Sequence, residues 1–210
     1  SGTGRAKHDL RRALLLLRAN RVTLTVESAA IKEVRPAEAQ LSTRLRMRYK
    51  DRFRGLDGEV IITDVVLHSL RKEAGRWKVY TDERVATYRE GRFGEQPPQV
   101  ALEVPQQLPP TLRYPVKVSV RREAVKSYQV IIGNYIDDVS ELPDPEVMAR
   151  LPEDGVLQTR LSPNSDGFSE MVRATVIAAD QSGAPVGATV VSKFVHGAPQ
   201  NKLVPPKQAV

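Results

Sequence analysis

The sequence predicts a mainly β protein: an α+β first part, with a helix packed on a four-stranded antiparallel meander, followed by a small all-β sandwich. Three observations carry this. Residues 39–53 alternate apolar and polar side chains over an unusually long stretch. Glycine-centred turn signals separate further alternating runs on both sides of the chain's midpoint. Between the two halves, residues 96–115 contain six prolines, a density that no helix or central strand tolerates.

Residues 9–19, DLRRALLLLRA, have the pattern of a short helix, with Asp9 as N-cap or first-turn acid and Asn20 as the stop. A helix of this length must pack on something to persist in water. From Arg21 the period changes to that of a strand, with Val22, Leu24 and Val26 alternating with Thr23, Thr25 and Glu27. Arg35-Pro36 breaks that run. In the next strand Leu41, Thr43, Leu45, Met47, Tyr49 and Phe53 point one way, and Ser42, Arg44, Arg46, Arg48, Lys50 and Arg52 the other. The stretch GLDG at 55–58 supplies a turn, residues 59–70 a third strand, Ala74-Gly75 the next turn and residues 77–88 a fourth strand. Leu14, Leu17, Leu24, Leu45, Met47, Trp77 and Val79 are the expected core of this part.

These boundaries divide the chain into a helix-plus-sheet domain (1–95), a Pro-rich extended linker (96–111), a β-sandwich domain (112–196) and a mobile tail (197–210). Val100, Leu102 and Val104 alternate within the linker, so part of it can dock as an edge strand. Strands follow at 116–122, 128–132 and 156–161, and 171–179 and 186–195 flank a hairpin turn, DQSGAP. The acidic, Pro-rich stretch 137–155 reads as a long loop with one helical turn over 146–150.

The helix DLRRALLLL, the pattern VTLTV, the pair AQLSTRLRMRY and IITDVVLHSL, and the closing EAGRWKVYTDE resemble the later part of an NTF2-like (cystatin-like) α+β domain. The resemblance spans residues 9–88 and implies a helix lying across a curved antiparallel sheet. The family's opening helices and first strand would lie upstream. Residues 112–195, ending in RATVIAADQSGAPVGATVV, are similar in pattern to bacterial immunoglobulin-like or fibronectin-type modules. Fold resemblance alone transfers no function.

The net charge of +7 is unevenly spread. Residues 1–54 hold 14 Lys and Arg against 5 Asp and Glu, whereas the rest of the chain is slightly acidic. Such asymmetry points to an acidic partner near that end: a protein surface, anionic lipid or nucleic acid. Its sharpest expression is the row Arg44, Arg46, Arg48, Lys50 and Arg52, expected on one strand face at roughly 7 Å spacing. Like charges so placed repel, and the intrachain acids expected nearby are Glu27, Glu33, Asp64 and Glu83. The plainer reading of the row is the solvated outer face of a one-sided sheet.

Other chemistries find little support. Cysteine is absent and the three histidines are dispersed, which excludes thiolate sites and speaks against a histidine metal centre. Neither a cofactor nor a metal is expected. No run of about twenty apolar residues is present to form a bilayer-spanning helix. The basic row lacks interleaved aromatics, and no phosphate-binding glycine loop or zinc-finger spacing occurs, so nucleic acid is a distant alternative. Asp64, His68, Tyr80 and Asp82 could line an NTF2-like pocket. However, Asp64 and His68 stand four apart on one strand, about 13 Å, too far for a direct hydrogen bond. No catalytic residue is assigned. NSDG at 164–167 and the Asp137-Asp138 pair lack the calcium-loop spacing, and NSDG reads as a turn.

The sequence therefore points to a non-catalytic binding or assembly subunit of a bacterial cell-envelope or membrane-associated complex, periplasmic or membrane-peripheral. Its expected partner is an acidic protein surface or an anionic membrane, met by Arg44, Arg46, Arg48, Lys50 and Arg52. The alternatives are an NTF2-like small-ligand binder or enzyme, and a nucleic-acid-associated protein.

Overall fold

A computed structural model describes residues 22–109, 113–121, 127–135, 147–164 and 168–197. These residues form eleven strands in two sheets: β1 (Thr23–Val34), β2 (Glu38–Phe53), β3 (Leu56–Glu73), β4 (Arg76–Gly94), β5 (Gln99–Glu103), β6 (Tyr114–Arg121), β7 (Ser127–Tyr135), β8 (Val147–Arg150), β9 (Val156–Leu161), β10 (Glu170–Ala179) and β11 (Pro185–Val195). The large sheet runs β1-β2-β3-β4-β11-β10-β7-β8 and the small one β5-β6-β9. Every strand pairing is antiparallel.

The α+β expectation is corrected. No helix occurs among the described residues, and the fold is all-β and sandwich-like. The segment expected to be helical, 9–19, with Leu14 and Leu17, lies outside the described residues. The helical turn expected over 146–150 is largely strand β8, paired with β7 through Ile131–Met148 and Val130–Ala149.

The division into separate sheets is corrected too. β4 is 19 residues long, and its last seven residues, from Tyr88, pair with β11. The meander is thus continuous with the sandwich. The Pro-rich segment does not hold the halves apart but packs on β11. Gly94 takes φ +81°, and a Cβ on Gly187 would lie 2.1 Å from the Gln96 carbonyl oxygen. The Pro98 carbonyl accepts a 2.6 Å hydrogen bond from the Thr189 hydroxyl. Two glycines thereby let the chain cross from one sheet to the other. Beyond the crossing, β5 pairs along β6 as an edge strand, as Val100 and Leu102 predicted.

The main core lies between the small sheet and the β7-β10-β11 part of the large one. Leu102, Tyr114, Val116, Val118 and Leu161 meet Val130, Ile132, Val172, Val176 and Val191 there, all essentially without exposure. At its margin the Glu170 carboxylate is buried and fully engaged. It accepts from Tyr114 Oη, from Asn134 Nδ2 at 2.9 Å, and from the Asn164 backbone and side-chain N–H groups at 3.1 and 3.0 Å. Asn164 in turn donates to the Phe168 carbonyl and accepts from its N–H, while the rest of NSDG, residues 165–167, lies outside the described set. Asp137 and Asp138 also fall outside it.

A second cluster, Val60, Phe93, Ile177 and Ala188, occupies the opposite face of the large sheet. The Phe93 ring lies over Gly58 and Gly91, where any Cβ would intrude within 2.4–2.6 Å. Phe53 packs on it at 5.5 Å between ring centroids. This cluster joins residues of β3, β4, β10 and β11, so it too belongs to both halves of the chain.

Hairpin geometry fixes the register of the meander. Arg54 and Gly55 both have positive φ, as do Ala74 and Gly75, the signature of tight two-residue turns matched to strand twist. The second was expected. The first was expected at 55–58, but β3 already begins at Leu56, paired with Phe53.

Candidate functional site: a protruding sheet with unlike faces

Since β11 covers only residues 88–94 of β4, twelve residues of that strand continue past the sandwich to the Ala74-Gly75 turn. At about 3.4 Å per residue this is a projection of roughly 40 Å. β1, β2 and β3 run alongside, and the β1–β2 turn lies at the same free end. Among the described residues nothing packs on either face of its outer half.

One face carries the predicted basic row. Arg44, Arg46, Arg48, Lys50 and Arg52 do share it, and their register places them opposite Val65, Thr63, Ile61, Glu59 and Asp57 of β3. Much of the row is paired within the chain. A bulge in β1 turns Glu27 towards it, with Oε2 3.0 Å from Arg44 Nε and Oε1 3.4 Å from Arg46 Nη1. Arg48 lies 3.4 Å from Glu59 and Arg52 2.8 Å from Asp57. The Arg52 hydrogen bond holds the Asp57 carboxyl below its ordinary range and raises the guanidinium reciprocally. Lys50 makes no ion pair among the described residues. Five cations thus face three carboxylates, and a positive surplus remains on an exposed surface.

Of the acids expected to offset the row, Glu27 does so, whereas Glu33 pairs with Arg35 at 2.7 Å. Asp64 lies on the other face, buried, and accepts a 2.7 Å bond from the Thr87 hydroxyl. Glu59 and Asp57 were missed. Their alternation in step with Lys50 and Arg52 across a short hairpin was the available signal.

The opposite face combines an apolar set, mostly on β1 and β2, with Asp64, His68 and Asp82, and among the described residues nothing covers its outer half. Cross-strand register aligns Val34, Ala39, Leu70 and Val79 in one row, Ile31 and Leu41 in the next, and Val26–Leu45 and Leu24–Met47 further in. The expected burial of this set is therefore corrected: Leu24, Trp77 and Val79 are exposed, and Leu45 and Met47 only half-buried. The side chains point as the alternation predicted. What differs is that no described element lies on top of them.

Within this face three side chains connect across three strands. Thr43 Oγ1 is 2.7 Å from His68 Nε2, and His68 Nδ1 is 2.6 Å from Asp82 Oδ1. Of the pocket candidates, then, His68 and Asp82 meet, while Asp64 and Tyr80 stay apart from them. Tyr80 sits at a bulge, with Arg71 4.2 Å from its ring centroid. Thr43 was missed because alternation places it in an apolar series. Its strand is paired on both sides, at Ala29 and Val66, so its backbone N–H serves the ladder rather than a substrate oxygen.

A shallow pocket of about 340 Å³ near the free end is lined by Glu33, Arg35, Glu38, Gln40, Arg71 and Tyr80. Its two arginines are bound to its two glutamates, at 2.7 and 3.4 Å, so it is no ready anion site. No group of three or more potential metal ligands occurs among the described residues. No protein-family model, no curated protein and no solved structure matches this chain.

Proposed function

We propose that this protein is a non-catalytic binding or assembly subunit of a bacterial cell-envelope or membrane-associated complex, and that its protruding sheet meets an acidic protein partner through Arg44, Arg46, Arg48, Lys50 and Arg52. The supporting observation is the cationic surplus of that row over Glu27, Asp57 and Glu59 on a solvent-facing surface. Single exposed ion pairs contribute about 0–1 kcal/mol and are screened by salt. A row of cations instead gives weak, orientation-selective association with strong salt dependence. The test is cross-linking and co-purification of the natural full-length protein, followed by the Arg46→Glu, Arg48→Glu double variant. Partner capture should fall and its salt dependence flatten while the fold is kept. Unchanged capture by the double variant would reject the row as the contact surface.

A second reading, a small-ligand binder or enzyme, rests on Thr43–His68–Asp82, whose order is that of nucleophile, base and orienting acid. The test is covalent labelling of Thr43 by a fluorophosphonate, read by peptide mass and compared with His68→Ala. Absence of a His68-dependent adduct leaves the three residues as a cross-strand tie.

A further inference from the structure

We infer that the free end of the protruding sheet docks on an anionic lipid bilayer. This site is separate from the basic row. The end is formed by the β1–β2 and β3–β4 turns and the last rows of strand beside them. Its large apolar side chains are exposed: Ile31 70 %, Val34 63 %, Trp77 44 %, Val79 57 % and Tyr80 61 %. Trp and Tyr are the side chains that settle at a membrane–water boundary, with an apolar body and a polar tip.

Charge selects the kind of surface. Residues 31–41 and 68–82 contain six cations and four carboxylates, with Asp82 in the cross-strand row of Ile31 and hydrogen-bonded to His68. The other three carboxylates are also taken, Glu33 by Arg35, Glu38 by Arg71 and Glu73 by Lys78, and the last pair holds the Glu73 carboxyl below its ordinary range. Lys32, Lys72 and Arg76 keep no carboxylate partner among the described residues. Lys72 Nζ lies 6.0 Å from the Trp77 ring centroid, so a basic group flanks the aromatic anchor. Apolar and aromatic side chains ringed by unpaired cations complement anionic headgroups over an acyl boundary. A second copy of this chain would bring like charges together, and an acidic protein surface would leave Ile31, Val34 and Val79 facing polar groups. Among the described residues the end is also clear of the sandwich, which leaves it open to a bilayer.

Trp77 is the chain's single tryptophan and sits at the proposed contact, so its fluorescence reports it directly. The full chain is titrated with vesicles of phosphatidylcholine alone and of phosphatidylcholine with phosphatidylglycerol. The anionic vesicles should shift Trp77 emission to the blue and shield it from iodide; the neutral ones should not. Lys72→Ala with Arg76→Ala should weaken partitioning by about thirtyfold, as expected for two basic groups lost from an anionic surface. Arg121→Ala with Arg160→Ala, an equal charge loss on the small sheet, should leave it unchanged. The inference is overturned if anionic vesicles leave Trp77 emission unaltered, or if the remote pair lowers partitioning as much as the end pair. It is also overturned if emission shifts with protein concentration alone, which would assign the apolar end to self-association. Capture of an acidic protein through the basic row is scored separately, so either idea can fail without the other.

Discussion

Glu27 Oε2 lies 3.0 Å from Arg44 Nε, and the same carboxylate reaches Arg46 with its other oxygen. One acid, delivered by a bulge in an edge strand, thus restrains two of the five cations on β2. If the basic row is a contact surface, this carboxylate competes with the partner. Glu27→Gln should therefore strengthen partner binding and steepen its salt dependence. The variant should lose less than about 1 kcal/mol of stability, because both pairs are solvent-exposed. Affinity at two ionic strengths and a denaturant midpoint measure both effects. A weaker partner complex would show that Glu27 shapes the surface rather than masks it.

The Glu170 carboxylate gathers Tyr114, Asn134 and Asn164 at the margin of the sandwich core. Glu170→Ala leaves those donors without their acceptor in a buried site. A loss of about 3 kcal/mol is expected, read as a lower urea midpoint with an unchanged slope. A drop of a few tenths would mean that water replaces the carboxylate freely.

Ala74 holds φ 48° at the β3–β4 turn, a conformation that costs a side-chain-bearing residue about 1 kcal/mol and that asparagine tolerates. Ala74→Asn should stabilise the outer hairpin by about 0.5–1 kcal/mol. Amide exchange of residues 70–79 is the sensitive readout, since the free end can open without the sandwich. Faster exchange there would contradict the turn geometry.

Tyr88 stands where β4 leaves the sandwich, and burial, with the Glu90 charge beside it, pushes its phenol up to about 12 from the ordinary 10.0. Between these values the native state keeps a proton that the unfolded chain has lost. Stability from this source is therefore complete below pH 10 and declines as pH rises towards 12. Tyr88→Phe should flatten the alkaline fall in unfolding free energy. An identical slope in both proteins would show that the phenol is not held in this way.

The sequence alone determined most of the strands, β8 excepted, and the sidedness of their residues. Alternation is a local property of a pleated chain, so 39–53, 156–161 and the hairpin 171–195 were legible, as was the common face of Arg44 to Arg52. Ala74-Gly75 was legible because a glycine stands between two alternating runs. Tertiary structure alone decided which faces are covered. Leu24, Val79 and Trp77 point where the pattern puts them, yet burial needs a second layer, and the small sheet covers β7, β10 and β11 instead. Joining β4 to β11 was likewise invisible, because strand pairing across nearly a hundred residues depends on Gly94 and Gly187 letting the chain cross. The Thr43–His68–Asp82 contact arose the same way: register brought together three side chains that no spacing along the chain connects.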